Sequence, residues 1–436
     1  MRKTQIAALV AGTLLTMNAS AIDLLQAYHD AQAYDSQFAS ARAAREAGAE
    51  KSAQGLSGLL PNISLSANVN KIDGTTELNN LPTFNYSSSG YQVQLRQPLF
   101  NKASFDTYQQ SKLQVTASEV QFEQAKNDLA LRVAQAYFDT LTAQDSVNFI
   151  QAQKLAISEQ LESAKRNFEV GTATITDTYE AQARFDLTQA QEIAALNDLD
   201  VKRNALAQVT GKLATELNSL KQGVKLRPPE PASPDQWIQN AESSNFSVVA
   251  QRLLVEISRL DISRNRSAHL PTLDAVAVHS DVNNSSPVFL GQLVQNSIGV
   301  QFTMPLYAGN LTTSRVRESI ALADKASADL DTARRSAIQG TRTAYLGLQS
   351  GLSQVKALEA AEISSNSALE ANRLGYEVGV RINIDVLNAQ QQLYSTRRDL
   401  AKARYDTLMA GLRLKAAVGA LNESDLAELN ALLEAR

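Results

Sequence analysis

The 436-residue chain has no cysteine, which removes disulfides, thiol chemistry, cysteine-based metal sites and a lipid anchor on an amino-terminal cysteine. Its three histidines, His29, His269 and His279, stand at no metal-ligand spacing. The single tryptophan, Trp237, reads as a packing residue. Charge is close to balance, with 41 basic and 45 acidic side chains and a net of −4. No basic cluster with interleaved aromatics occurs, so nucleic acid is not indicated as a partner. No glycine-rich phosphate loop, nucleophile elbow or clustered acid and base pair is present either, and nothing points to an enzyme or a cofactor. Nowhere does an apolar run reach the eighteen or so residues of a transmembrane helix.

Proline is scarce as well. The ten prolines, at 61, 82, 98, 228, 229, 231, 234, 271, 287 and 305, leave two proline-free runs, 99–227 and 306–436. Both runs are rich in Ala, Gln, Leu, Lys, Arg and Glu, and apolar positions such as Leu129, Val133, Tyr137 and Leu141 recur every four residues. They read as helix. Each is interrupted by a short glycine turn, Glu169-Val170-Gly171-Thr172 and Glu377-Val378-Gly379-Val380, where glycine can adopt the left-handed conformation that ends a helix. Two very long helical hairpins follow, and the arm from about 102 to 168 is a rod about 100 Å in length at 1.5 Å per residue. Such helices must lie side by side in a coiled bundle or a tube.

The chain is also written twice. Ala136-Tyr137-Phe138 returns as Ala344-Tyr345-Leu346, Phe168-Glu169-Val170-Gly171 as Tyr376-Glu377-Val378-Gly379, and Asp177 as Asp385, all at an offset of 208 residues. A constant offset across separate motifs signals an internal repeat.

Strands separate the helices. Ile63, Leu65, Ala67 and Val69 alternate with Asn62, Ser64, Ser66, Asn68 and Asn70, while Tyr91, Val93 and Leu95 alternate with Gln92, Gln94 and Arg96. In the second half Ile298, Val300 and Phe302 alternate with Gly299, Gln301 and Thr303; residues 273–280 alternate poorly because Val276 and Val278 fall on the polar side. This period-two pattern gives one apolar and one polar face over about 10 residues, the length of a tilted membrane strand. Residues 73–88 and 283–295 read as polar surface loops. A pair of soluble hairpins is the alternative, and the amino terminus weighs against it. Arg2 and Lys3 precede an apolar stretch at 6–15, and Ala19-Ser20-Ala21 suits cleavage, so residues 1–21 read as a secretory signal. Losing Arg2 and Lys3 takes the charge from −4 to −6. For an exported chain without a transmembrane helix, strands are the remaining way to span a membrane. Four strands cannot close a barrel, since the smallest have about eight, so two or more copies must share one.

The Leu-Pro strand openings at Leu60-Pro61 and Leu270-Pro271, the paired Val-Gly turns, the run from Gly379-Val380-Arg381-Ile382-Asn383 through Asp385 and Asn388, and the ending Ala420-Leu421-Asn422-Glu423 together resemble the TolC family of outer-membrane channel proteins. The resemblance covers essentially the whole chain after the signal. It implies a mixed α and β fold built from a duplicated unit, a long α-helical hairpin plus a two-strand β-hairpin. Three copies would form a trimeric 12-stranded outer-membrane β-barrel continuous with a periplasmic α-helical barrel. Repeat 1 spans 22–227, with a β-hairpin at about 60–98 and a helical hairpin at about 101–210. A proline-rich equatorial linker covers 228–235. Repeat 2 spans 236–420, with its hairpins at about 270–305 and 310–420, and an equatorial tail covers 421–436.

The resemblance also places a periplasmic gate at Thr176, Asp177, Tyr376, Arg381, Asp385 and Asn388. Arg381 and Tyr376 would donate to Asp177 or to the Thr176 hydroxyl, although Asp177 and Asp385 also suit helix capping. Asp385 matches an acidic ring position, while Asn388 stands where the best-known member has a second aspartate; weaker cation preference is expected. Gly171, Thr172, Gly379 and Val380 would meet a periplasmic adaptor of the membrane fusion type. The implied function is a passive homotrimeric exit duct in the outer membrane of a Gram-negative cell. It would be opened by an inner-membrane transporter of ABC, RND or MFS type for efflux or type I secretion, with outer-membrane lipid around the barrel. The alternative is a periplasmic coiled-coil adaptor or a surface adhesion protein. An adaptor would carry a lipoyl-like β segment between its hairpin arms, where this chain has only short glycine turns.

Overall fold

The computed structural model describes residues 22–75, 84–213, 216–221, 223–286 and 289–434. The signal-like segment 1–21 and the prolines at 82 and 287 lie outside these residues.

Each repeat opens on a pair of helices. They are α1 (Leu24–Tyr34) with α2 (Ser36–Ser57), and α5 (Pro234–Ser244) with α6 (Phe246–Arg266). A single Asx residue makes each break. The Asp35 carboxylate accepts from the Phe38 amide at 2.7 Å, and the Asn245 side chain accepts from the amides of Ser247 and Val248 at 3.0 and 3.3 Å. Each ends one helix in an extended conformation and caps the next.

The strands are β1 (Asn62–Gly74) and β2 (Phe84–Phe100) in the first repeat, β4 (Thr272–Asn283) and β5 (Gln292–Thr303) in the second. Residues 84–88, expected in a loop, belong to β2, which runs for 17 residues. The poorly alternating stretch at 273–280 is also regular strand, because β4 is hydrogen-bonded on both sides, to β2 and to β5. Sheet order is β1-β2-β4-β5, antiparallel throughout.

The helical hairpins have unequal arms. The long helices α3 (Lys102–Glu169) and α7 (Leu311–Glu377) hold 68 and 67 residues, whereas the returns α4 (Ile175–Thr210) and α8 (Asn383–Ala417) hold 36 and 35. Gly211 and Gly419, at φ of 74° and 69°, mark the ends of the returns. The other half of each long helix is flanked by the helix that precedes the strands, α2 beside α3 and α6 beside both α3 and α7. The result is a wall one helix thick. On the sheet side its order is α2, α3, α6, α7, and on the tip side α4, α3, α8, α7.

The main core lies where these halves meet. Leu24, Phe38, Phe122, Leu129, Tyr137, Phe138, Tyr405, Leu412 and Leu426 pack together there. The short pair β3 (Ser219–Leu220) and β6 (Leu433–Glu434) and the helix α9 (Glu423–Asn430) complete the region. The repeated Ala-Tyr motif has a structural role here. The Tyr137 hydroxyl donates to the carbonyls of Ile22 and Asn218 at 3.0 and 2.8 Å, and its counterpart Tyr345 donates to Ala232 at 2.5 Å. Each tyrosine fastens a non-helical segment to a long helix. Trp237 packs against Tyr345, Leu348 and Leu414, and its indole N–H donates to Pro231 at 2.7 Å.

Candidate functional site

The two ends of the wall differ in chemistry. At the sheet end, register settles which side chains share a face, because residues paired across antiparallel strands point the same way. Ile63 and Leu65 pair with Leu95 and Val93; these pair in turn with Ala277 and His279, and Ala277 and Ala275 pair with Ile298 and Val300. One face is therefore a continuous apolar band, crossed by the polar trio Tyr91, His279 and Asn296. The other carries Ser64, Ser66, Gln92, Gln94, Arg96, Ser297 and Gln301, with Val276 and Val278 among them. Arg96 donates to the buried Asp274 on that polar face at 2.7 Å. The apolar residues are bare: Val69 is 81% and Ile298 89% exposed in the single chain. Among the described residues β1 and β5 pair on one side only.

At the opposite end the two hairpin turns are copies of one another. After α3 the amides of Thr172 and Ala173 both donate to the Asn167 carbonyl at 2.8 and 3.1 Å; after α7 those of Val380 and Arg381 both donate to Gly375 at 2.8 and 3.0 Å. Gly171 and Gly379 take φ of 76° and 78°. A Cβ at either would meet nothing within 4 Å, so glycine serves conformation there and not close approach.

The expected gate residues lie around these turns, with different partners. Asp177 closes a capping box: it accepts from the amide and hydroxyl of Thr174 at 2.9 and 2.8 Å, while the Thr174 hydroxyl accepts from the Asp177 amide at 3.3 Å. Thr176 is exposed beside it. Arg381 does not reach Asp177 or Thr176 within the chain. Its nearest carboxylate is Asp385, one turn along the same helix at 3.7 Å. The Tyr376 hydroxyl accepts instead from the Asn167 amide group at 3.3 Å. The reason is local: Thr174 presents two donors three residues away, and a long arginine on another hairpin must lose rotamer freedom to compete.

Three residues outside the expected set tie the hairpins together. Asn383, fully buried, accepts from the Gln160 side chain at 2.5 Å and donates to the Asp177 carbonyl at 3.2 Å, joining α8 to α3 and α4. Arg184 of α4 forks onto α8, donating to Gln391 at 2.7 Å and to Asn388 at 3.0 Å. Beneath them Ile157, Leu161, Ala164, Ala181 and Leu387 form a small apolar core. No motif marks Gln160 or Arg184, because each looks like an ordinary polar residue of a helix surface; Asn383 belongs to the run that opens α8, but nothing local names its partners.

An open sheet with one apolar face, set on a helical wall that ends in two short glycine turns, is the architecture of an outer-membrane channel protein. The family model described as outer membrane efflux protein matches residues 27–212 and again 237–420. Outer membrane protein TolC of Vibrio cholerae is 34% identical over 420 residues, covering 94% of each chain. Alkaline protease secretion protein AprF of Pseudomonas aeruginosa is 34% identical over 421 residues, covering 95% of this chain and 88% of its own. Among solved structures, the CmeC outer membrane channel of Campylobacter jejuni superposes with a TM-score of 0.79 over 94% of this chain and 90% of its own, at 18% identity. The chain belongs to the outer membrane efflux protein family. It is an outer-membrane protein whose helical part stands in the periplasm.

Proposed function

We propose that three copies of the chain form the passive exit duct of a tripartite efflux or type I secretion system. The observation that carries this reading is the open sheet. Lipid offers no hydrogen bonds, so the unpaired edges of β1 and β5 must find partners, and a twelve-stranded barrel from three four-stranded sheets provides them. The apolar face then meets lipid and the polar face lines the bore. The long helices continue the bore across the periplasm.

A periplasmic adaptor and an inner-membrane transporter engage the tips at Gly171, Thr172, Gly379 and Val380, and the transporter supplies the energy. Thr176, Asp177, Tyr376, Arg381, Asp385 and Asn388 form the gate. With Arg381 turned toward its own Asp385, its remaining donors are free to meet a neighbouring copy, which supports a link between subunits at the closed tip. Relatives named for protease secretion support the secretion branch, and those named TolC leave efflux equally open.

The test is conductance of the purified protein in a planar bilayer. The wild type should give small, stable openings, and Arg381→Ser larger ones, because each tip loses a guanidinium tie. A detergent-free soluble protein with no conductance would sink the duct.

A further inference from the structure

Arg184 carries an inference beyond the closing of the tip. On the tip side of the wall α4 and α8 stand on either side of α3, yet the Arg184 fork bridges them directly, at 2.7 Å to Gln391 and 3.0 Å to Asn388. There α4 and α8 also touch each other directly and share an apolar core with α3, so the three helices curl toward the side that carries the fork. When a wall one helix thick closes into a tube, its concave side is the bore. Beside the fork is a cavity of about 90 Å³ whose lining includes Arg184, Arg398, Tyr394, Gln191 and Gln391. No carboxylate lines it. Arg184 binds two neutral carboxamides, so nothing in direct contact cancels its charge.

We propose that Arg184 is a specificity-determining residue, which places a fixed positive charge on the bore wall at the level of Asn388 and offsets the acidic ring of Asp385. The inference rests on the duct reading above. Asp385 itself faces Arg381 at 3.7 Å, so each subunit brings the guanidinium groups of Arg184 and Arg381 to this level, against the carboxylates of Asp385 and of Asp177 at the neighbouring turn. In a narrow bore with low-dielectric walls the sign of such a ring decides which ions enter. The constriction is therefore built without the strong cation preference that Asp385 alone would impose. Asn388 is what leaves the charge of Arg184 uncancelled, since an aspartate there would neutralise it.

The experiment is the reversal potential of the full-length trimer in a planar bilayer under a KCl gradient, for wild type, Arg184→Gln, Arg184→Lys and Asn388→Asp. Arg184→Gln should raise the K⁺ to Cl⁻ permeability ratio by about threefold or more. Arg184→Lys should enlarge the conductance by breaking the fork and leave the ratio near the wild-type value, because the charge stays. Asn388→Asp should raise the ratio, as its carboxylate cancels the arginine. If Arg184→Gln changes conductance alone, or if Arg184→Lys raises the ratio as much as Arg184→Gln does, Arg184 is only a tie and the proposal is overturned. A wild type that forms no channel would overturn the duct reading itself, whereas a conducting wild type with an unmoved ratio overturns only the role of Arg184.

Discussion

Tyr137 shows at the scale of one residue how a short repeated motif acts. Its ring is fully buried, and its hydroxyl holds the chain at Ile22 and Asn218 to the middle of α3. Burial pushes its pKa well above the usual 10.0, and the nearby Asp23 adds to the rise. The sign of the pH effect follows. Above about pH 10 the unfolded chain releases this proton while the folded one keeps it, so stability falls as pH rises. Tyr137→Phe should cost about 1–2 kcal/mol at neutral pH by leaving buried carbonyls without their donor. It should also flatten the loss of stability between pH 9 and 11. Thermal melts of both proteins across that range check both points, and an unchanged alkaline slope would show that another group is responsible. The motif was legible in the sequence through its repetition. Its partners were not, because Asn218 lies 81 positions away in a stretch without pattern.

At the scale of elements, glycines with the same positive φ do different work. Gly379 stands in open space at the tip, and Gly419 meets the Ser244 carbonyl where α8 ends against the α5–α6 junction. Gly379→Ala should cost about 1 kcal/mol, from backbone strain alone. Gly419→Ala adds a clash with a backbone that cannot move, and its melting temperature should fall further. Equal losses in calorimetry would show that the junction yields easily. Both tip glycines were legible in the chain through their left-handed preference, a property of one residue. The breaks at Asp35 and Asn245 were not legible, because capping side chains are common on helix surfaces and only their hydrogen bonds show which of them end a helix. Residues 84–88 were lost for a similar reason. Phe84 and Tyr86 fall on the face of Gln92 and Gln94, out of phase with Tyr91, Val93 and Leu95, and the strand there is held by its neighbour β1 through the register that pairs Asp73 with Asn85.

For the whole molecule, the open edges of the sheet make the strongest demand. The chain lacks cysteine, so engineered pairs report on subunit contacts without background. Ser66→Cys combined in turn with Ser297→Cys, Gly299→Cys or Gln301→Cys sets β1 of one copy against β5 of the next. Oxidation should yield a covalent trimer on denaturing gels for at least one pair. Monomers from every pair would mean that the edges do not meet.

The duplicated plan, the long helices, the apolar and polar strand faces and the family resemblance are all written in the amino-acid order. Each of these comes from local periodicity, from the conformational limits of proline and glycine, or from a repeat at constant offset. The tertiary structure alone decided which polar residues meet at the tip. Arg184 finds Asn388 and Gln160 finds Asn383 across separations of 204 and 223 residues. Those meetings depend on the relative sliding of three helices, and that sliding is set by the packing of Ile157, Leu161, Ala181 and Leu387, not by the polar residues themselves.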